Sequence, residues 1–184
     1  MSETTATTGE PVQPHIVVTV VGRDGPGIIA RATGLLAGLR MNLEDSSMTR
    51  LRGHFAMTLV CSGAAEIASV ERALTPLADD ELDVTVRPGL TGRAEAQVAG
   101  SEAWLVSVHG ADRLGIVAEV AGVVAEHRGN ITDLTTRLSG ELYVLTAEVD
   151  LPPGGGERLR EALQATTEAL GVHVALEPLV DDEL

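Results

Sequence analysis

A chain of 184 residues with 44% apolar side chains but only three aromatic ones, Phe55, Trp104 and Tyr143, can bury cores, and those cores must be aliphatic. Its net charge is −14 and all 13 basic residues are arginine. That balance argues against direct gripping of a nucleic-acid backbone, and the lack of lysine removes Schiff-base chemistry and the lysine of a phosphate-binding loop.

Residues 1–14, MSETTATTGEPVQP, lack the apolar stretch of a signal peptide and read as a disordered tail. No run approaches the length of a membrane span, so no membrane is expected. Ile16 to Val21 follows as an apolar strand on which Ile16, Val18 and Val20 share one face, and its near-continuous apolarity predicts a central strand covered on both sides. Next comes GRDGPG, Gly22 to Gly27, and then apolar residues at helical spacing: Ile28, Ile29, Ala32, Leu35, Leu36 and Leu39. Pro26 fits the first helical turn, and Gly25 and Gly27 permit positive φ. Such a turn leaves helix-terminal N–H groups open to a small anion, or it is a tight strand-to-helix connection with no ligand.

Asn42 to Leu51 and His54 to Ser62 read as a hairpin about Arg52 and Gly53. Helical spacing returns at Ile67, Val70, Leu74 and Leu77, and Leu82 to Val86 is a last strand after the acidic turn Asp79 to Glu81. The order β-α-β-β-α-β predicts a ferredoxin-like unit over 15–88, with both helices on one face of an antiparallel sheet.

Residues 89–102 read as a linker, and the pattern then restarts. The stretch Gly22 to Asp45 returns as Gly110 to Asp133 at a spacing of 88, with ten identities in 24 positions: Gly22, Asp24, Gly27, Ile28, Ala30, Gly34, Ala37, Arg40, Asn42 and Asp45. A period this long makes each copy a whole domain. Trp104 to Val108 is the strand and Ile116 to Arg128 the helix, with Ile116, Val117, Val120, Val123 and Val124 on its stripe. Asn130 to Leu138 and Glu141 to Asp150 form a hairpin that is one residue shorter, so that the spacing slips to 87. A final helix carries Leu159, Leu163, Thr166 and Leu170, and Val172 to Leu176 is the last strand. The expected fold is therefore α+β, two tandem ferredoxin-like units at 15–88 and 103–180, with an acidic tail at 181–184. The glycine run Gly154 to Gly156 lacks the Gly-Lys-Ser/Thr of a phosphate loop.

Enzyme chemistry finds no footing, and no catalytic residue or cofactor is expected. His15, His54, His109, His127 and His173 lack metal-ligand spacing, so no metal is expected either. Glu44 and Asp45, adjacent in a strand, point to opposite faces and cannot cooperate as acid and base. Cys61 is the single cysteine, in the apolar strand AMTLVC, and reads as a buried thiol in a reducing cytoplasm. Residues 16–88 carry 9 acids against 7 arginines and 103–184 carry 14 against 5, so the second unit holds most of the negative charge.

The Asp-x-Pro-Gly-Ile turn of Asp24, Pro26, Gly27 and Ile28, followed by the Asn-Leu-x-Asp start of Asn42, Leu43 and Asp45, resembles the ACT domain, a ferredoxin-like module that senses amino acids. Asp112, Gly115, Ile116, Asn130, Ile131 and Asp133 keep the pattern, with Leu114 in place of Pro26. Two such units, with the phrase NLEDSSMTRLRGHFAMTLVCSG, resemble the glycine cleavage system transcriptional repressor group. That resemblance implies a regulator without catalysis that binds glycine, serine or a related amino acid and acts through a protein partner. The ligand-binding residues it implies are Asp24, Gly25, Pro26, Gly27, Ile28, Asn42 and Leu43, with Asp112, Leu114, Gly115, Ile116, Asn130 and Ile131 in the second copy. The alternative is a ligand-free interaction or dimerisation module, or a free-standing regulatory subunit of an amino-acid or one-carbon metabolic enzyme. Apolar residues on both faces of the first strands further predict a homodimer.

Overall fold

The computed structural model describes residues 15–78, 81–89 and 100–179. The expected tails at 1–14 and 181–184, the residues Asp79 and Asp80, and most of the expected linker lie outside them. The chain divides into two compact units, Met1–Ala94 and Glu95–Leu184.

The first unit runs β1 (His15–Arg23), α1 (Ile28–Gly38), β2 (Asn42–Leu51), β3 (His54–Ser62), α2 (Ile67–Leu74) and β4 (Leu82–Pro88). Its four strands lie in the order β2-β3-β1-β4, all antiparallel. Alternation on β1 buries Ile16, Val18 and Val20, and β3 adds Phe55, Met57, Leu59 and Cys61 to the same side. Ile28, Ala32 and Leu36 of α1 and Val70 and Leu74 of α2 close that core. Each fully buried Leu or Phe contributes about 1.5–3 kcal/mol relative to exposure. β1 is central, as its composition predicts, but its two faces differ: Val17 and Thr19 are half-buried and Val21 is 44% exposed. Ile29 and its counterpart Val117, placed on the helical stripes by periodicity, also face outward.

The second unit repeats the plan with β5 (Glu102–Ala111), α3 (Ile116–Glu126), β6 (Asn130–Ser139), β7 (Leu142–Leu151), α4 (Gly156–Leu170) and β8 (Val172–Pro178), in the order β6-β7-β5-β8. The two hairpins are the same length. Leu51 pairs with His54 and Ser139 with Leu142, so the spacing of 88 persists through the second hairpin. The expected slip to 87 came from reading Gly140 alone as the turn, whereas Gly140 and Glu141 together stand where Arg52 and Gly53 do. The real offset arises later: Leu82 and Val172 start the last strands, and the longer α4, with 15 residues against 8 in α2, is followed by a shorter connection. On α4 the buried stripe is Gly156, Leu159, Leu163 and Thr167, not Thr166. The Thr167 hydroxyl donates to the Leu163 carbonyl at 2.8 Å, which lets a polar residue occupy that buried position. Gly156 is required where it stands: a Cβ there would collide with the Trp104 ring, over which the Arg160 guanidinium lies at 5.8 Å.

Both α1 and α3 end in a Schellman turn. Arg40 N donates to Ala37 O at 2.9 Å and Met41 N to Leu36 O at 3.1 Å, and Arg128 and Gly129 repeat both bonds in α3. The left-handed residue of each turn is arginine, with φ of 58° at Arg40 and 59° at Arg128.

Candidate functional site

The turn between β1 and α1 is fixed from three sides. Gly22 lies so close to the start of β4 that a Cβ there would overlap the Glu81 carbonyl. Arg23 N donates to that carbonyl at 2.8 Å, and its guanidinium pairs with the Glu81 carboxylate at 2.8 Å. Asp24 N donates to Gly53 O at 2.9 Å in the hairpin turn, and the Asp24 carboxylate accepts from Arg50 of β2 at 3.3 Å. The helix therefore starts from an anchored point. It starts at Ile28, two residues later than Pro26 in the first turn would require, because Gly27 is the N-cap with φ of 82°. Gly25 does not use positive φ; among the two turn glycines only Gly27 does.

An α-helix leaves its first N–H groups without intrahelical acceptors, and their dipoles make that end positive. Glycine at the N-cap offers no side chain to satisfy them, and no capping side-chain bond forms at Gly27. Ile28 is buried and holds the turn to the core, while Pro26 and Gly27 are exposed. The first turn of α1 contains no acid and ends in Arg31. The local field at this terminus thus favours a small anion, and a carboxylate fits that requirement.

The second turn has the same backbone and different chemistry. Gly110 is crowded by Val172 of β8, and Gly115 caps α3 with φ of 93°. Glu119 stands in the first turn of α3, at the position of Arg31, where its negative charge complements the positive helix end. Leu138 occupies the position of Arg50, and Asp112 is exposed. Leu114, where the first turn has Pro26, is 100% exposed.

Asn42 and Leu43 do not meet the first turn within their own unit. Asn42 pairs with Ser62, which pairs with His15 at the other end of β1, about 30 Å from Asp24 at 3.3 Å per residue. Asn130 and Ile131 are displaced in the same way, since Asn130 pairs with Asp150 and Asp150 with Ala103. The site residues read from sequence therefore form two groups per unit, one at each end of the sheet.

At the Asn42 end, strict alternation fails. The register shifts between Leu43 and Asp45, so Glu44 is the extra residue of a β-bulge, and Thr132 is its counterpart between Ile131 and Asp133. Glu44 and Asp45 are therefore not an alternating pair, which corrects the reason given for separating them. The bulge brings Glu44 Oε2 to 2.7 Å from His15 Nε2, and the Ser62 hydroxyl hydrogen-bonds to the same carboxylate. The Ser62 bond, then the attraction of His15, hold Glu44 below the ordinary carboxylate value despite partial desolvation. Cys61, buried beside it, has its thiol pushed up first by burial and second by the Glu44 charge, which keeps it protonated and unreactive. Sequence reasoning missed Glu44 and Arg50. The x of Asn-Leu-x-Asp was the available signal for the bulge, but a single acidic residue in a strand does not announce an extra register position.

With the geometry in hand, the family is defined. Residues 14–88 and 102–177 each match the ACT domain, and the chain belongs to the ACT domain family. The glycine cleavage system transcriptional repressor of Escherichia coli strain K12 is 26% identical over 125 residues, covering 68% of this chain and 65% of the repressor. The chain thus spans just under two thirds of that relative's length. A UPF0237 protein of Methanopyrus kandleri is 41% identical over 75 residues, 40% of this chain and 83% of that protein. Among solved structures, a protein of unknown function from Galdieria sulphuraria aligns at 27% identity with a TM-score of 0.78, over 91% of this chain and 99% of its own. Another, provisionally described as a glycine cleavage system transcriptional repressor, aligns with a TM-score of 0.68 over 93% and 100%, and at 22% identity it shows the shared fold. Among the described residues no helix is long and apolar enough to cross a membrane, and no group of three or more His, Cys, Asp or Glu is placed to hold a metal.

Proposed function

We propose that this ACT protein is a non-enzymatic regulator that binds a small amino acid of the glycine or serine class and acts through a protein partner to control transcription. The observation that carries the reading is the first turn: an uncapped helix N-terminus behind a left-handed Gly27, with Arg31 near it and no acid in its first turn. The ligand carboxylate accepts N–H groups around Gly25 to Ile28. Asp24 already accepts from Arg50, so the ligand ammonium has to share that carboxylate or draw on the other end of a sheet. Asn42 or Asn130 and the neighbouring Leu43 or Ile131 supply that end from the second chain of a homodimer. Binding across such a seam changes the arrangement that a partner reads. The Asp112, Leu114, Gly115 and Ile116 turn, followed by Glu119, is the weaker or silent copy. The similarity to a glycine cleavage system repressor makes the corresponding genes the first targets to test, with a partner regulator contacting the DNA of this −14 system.

A ligand that binds only the folded state raises stability by RT ln(1 + [L]/Kd), so melting in saturating glycine, serine and control amino acids is the direct test. The expected result is a rise in Tm with one small amino acid, abolished by Gly27→Val and retained in Gly115→Val. No rise with any amino acid favours a ligand-free interaction module, a reading supported by the already paired Asp24. Light scattering at micromolar concentration checks the homodimer: a 19.1 kDa species under all conditions excludes it. A salt-sensitive shift of promoter DNA by this protein alone excludes the indirect mechanism.

A further inference from the structure

Spacing along the chain gives no metal motif among the five histidines, yet the fold places two of them together. His109 of β5 and His173 of β8 are register partners in the antiparallel ladder, 64 residues apart in sequence. Directly opposed side chains on neighbouring antiparallel strands have Cβ atoms about 4.5–5.5 Å apart. Here both rings are exposed, their centroids lie 5.3 Å apart and their planes are inclined by 31°.

That separation has a chemical meaning. An imidazole nitrogen binds zinc at about 2.0–2.1 Å, which puts the ring centre about 3.2 Å from the metal, and two such rings at a tetrahedral angle have centroids about 5.2 Å apart. The pair therefore stands at the separation that two histidine ligands of one tetrahedral ion adopt. We propose that His109 and His173 form a two-histidine site for a borderline divalent cation, zinc above all, with solvent in the remaining positions. Imidazole donors suit zinc, nickel and copper and do not suit magnesium or calcium, which take oxygen ligands. No third protein donor completes the site among the described residues. Across β5 the next residues in the same row are Val144 and then Arg137. The site is consequently open and weaker than a closed structural one. Its effect on the fold is local: the ion ties the edge strand β8 to the central strand β5, three residues before Asp112 and the second turn. The first unit has Val21 and Asp83 in the corresponding ladder positions and lacks the site.

Zinc titration into the full chain without an affinity tag, followed by NMR of the five histidine ring resonances, tests the site. His109 and His173 are expected to shift together and saturate with one ion per chain, while His15, His54 and His127 stay in place. His109→Gln and His173→Gln should each weaken binding about tenfold or more, since even outer partners of metal ligands act on a 10–100-fold scale. His127→Gln should leave it unchanged, and magnesium should not substitute. Both histidines are exposed, so the variants keep the fold, and their unchanged amide spectra verify it. Zinc affinity unchanged in both variants, or zinc-dependent shifts confined to other histidines, overturns the proposal.

Discussion

The two units share a backbone and diverge where a ligand would be met. Gly22 and Gly110 both sit hard against the strand after the second helix, Gly27 and Gly115 both cap a helix in the left-handed region, and Arg40 and Arg128 both close one. Glu44 and Thr132 are both bulge residues. On that common frame Arg31 becomes Glu119, Arg50 becomes Leu138, Glu44 becomes Thr132 and His15 becomes Ala103. Identities across the repeat thus record what the backbone demands, and the substitutions record what each surface does. The first unit keeps its helix N-terminus free of acid, whereas the second neutralises it and carries most of the negative charge. Ala30, Gly34 and Ala37, also identical to their counterparts, are exposed on α1 without crowding, and nothing in the structure explains them.

The largest effect separating the units is expected at the crowded glycines. Gly22→Ala drives a Cβ into the Glu81 backbone, which cannot yield, and should cost about 3 kcal/mol, the upper part of the range for overpacking. Gly110→Ala meets the Val172 side chain first, at 2.8 Å, and should cost about 1 kcal/mol. Urea denaturation of the two variants measures the difference, and equal losses would show that the two strand contacts are equally rigid. Next come the caps. Gly27→Val and Gly115→Val each place a β-branched residue at φ above 80° and should cost about 1–3 kcal/mol apiece. They should be alike in stability and unlike in amino-acid response, and loss of response in both would make the two turns equivalent sites.

Much of this frame was legible in sequence because it rests on periodicity and on a repeat. The element order, the central place of β1, the first hairpin and the buried stripe of α1 all follow from apolar spacing. The errors have physical causes. Ile29 and Val117 are apolar but sit just off the buried stripe, and Thr167 occupies a buried position because its hydroxyl bonds back to its own helix. Periodicity cannot see that bond. The bulge at Glu44 was invisible since one residue out of register leaves composition unchanged, and the Asp24 to Arg50 pair depends on how the hairpin turns back. The candidate residues were read as one set because the motif is contiguous in sequence, and the ladder register then divides them between opposite ends of a sheet.

A smaller effect should be equal in both units. Arginine at the left-handed position of a Schellman turn carries a Cβ penalty that glycine lacks. Arg40→Gly and Arg128→Gly should each stabilise by about 0.5–1 kcal/mol, less the lost attraction between the guanidinium and the negative helix end. Thermal denaturation of each variant reads the sum, and a destabilised variant would mean that the arginine side chain outweighs its backbone strain.

The smallest effect depends on pH and belongs to the first unit alone. The Ser62 hydroxyl and His15 favour the ionised form of Glu44, so its folded pKa lies below its ordinary value of 4.5. A group depressed in this way binds protons less readily when folded than when unfolded. Its stabilising contribution is therefore present above the ordinary carboxylate value and is lost as pH falls through the folded one. Glu44→Gln removes the titration and with it that part of the acid sensitivity: the variant should be less stable than the parent at pH 7, and the gap should narrow towards pH 3. Thr132 at the matching bulge has no such charge, and its hydroxyl donates to the Glu148 carbonyl at 3.4 Å, so Thr132→Ala should shift stability by the same amount at every pH. Urea midpoints of the parent and both variants across that range decide the matter. A constant gap for Glu44→Gln would show that the ion pair with His15 contributes no linkage, and that the bulge is held by its backbone in both units alike.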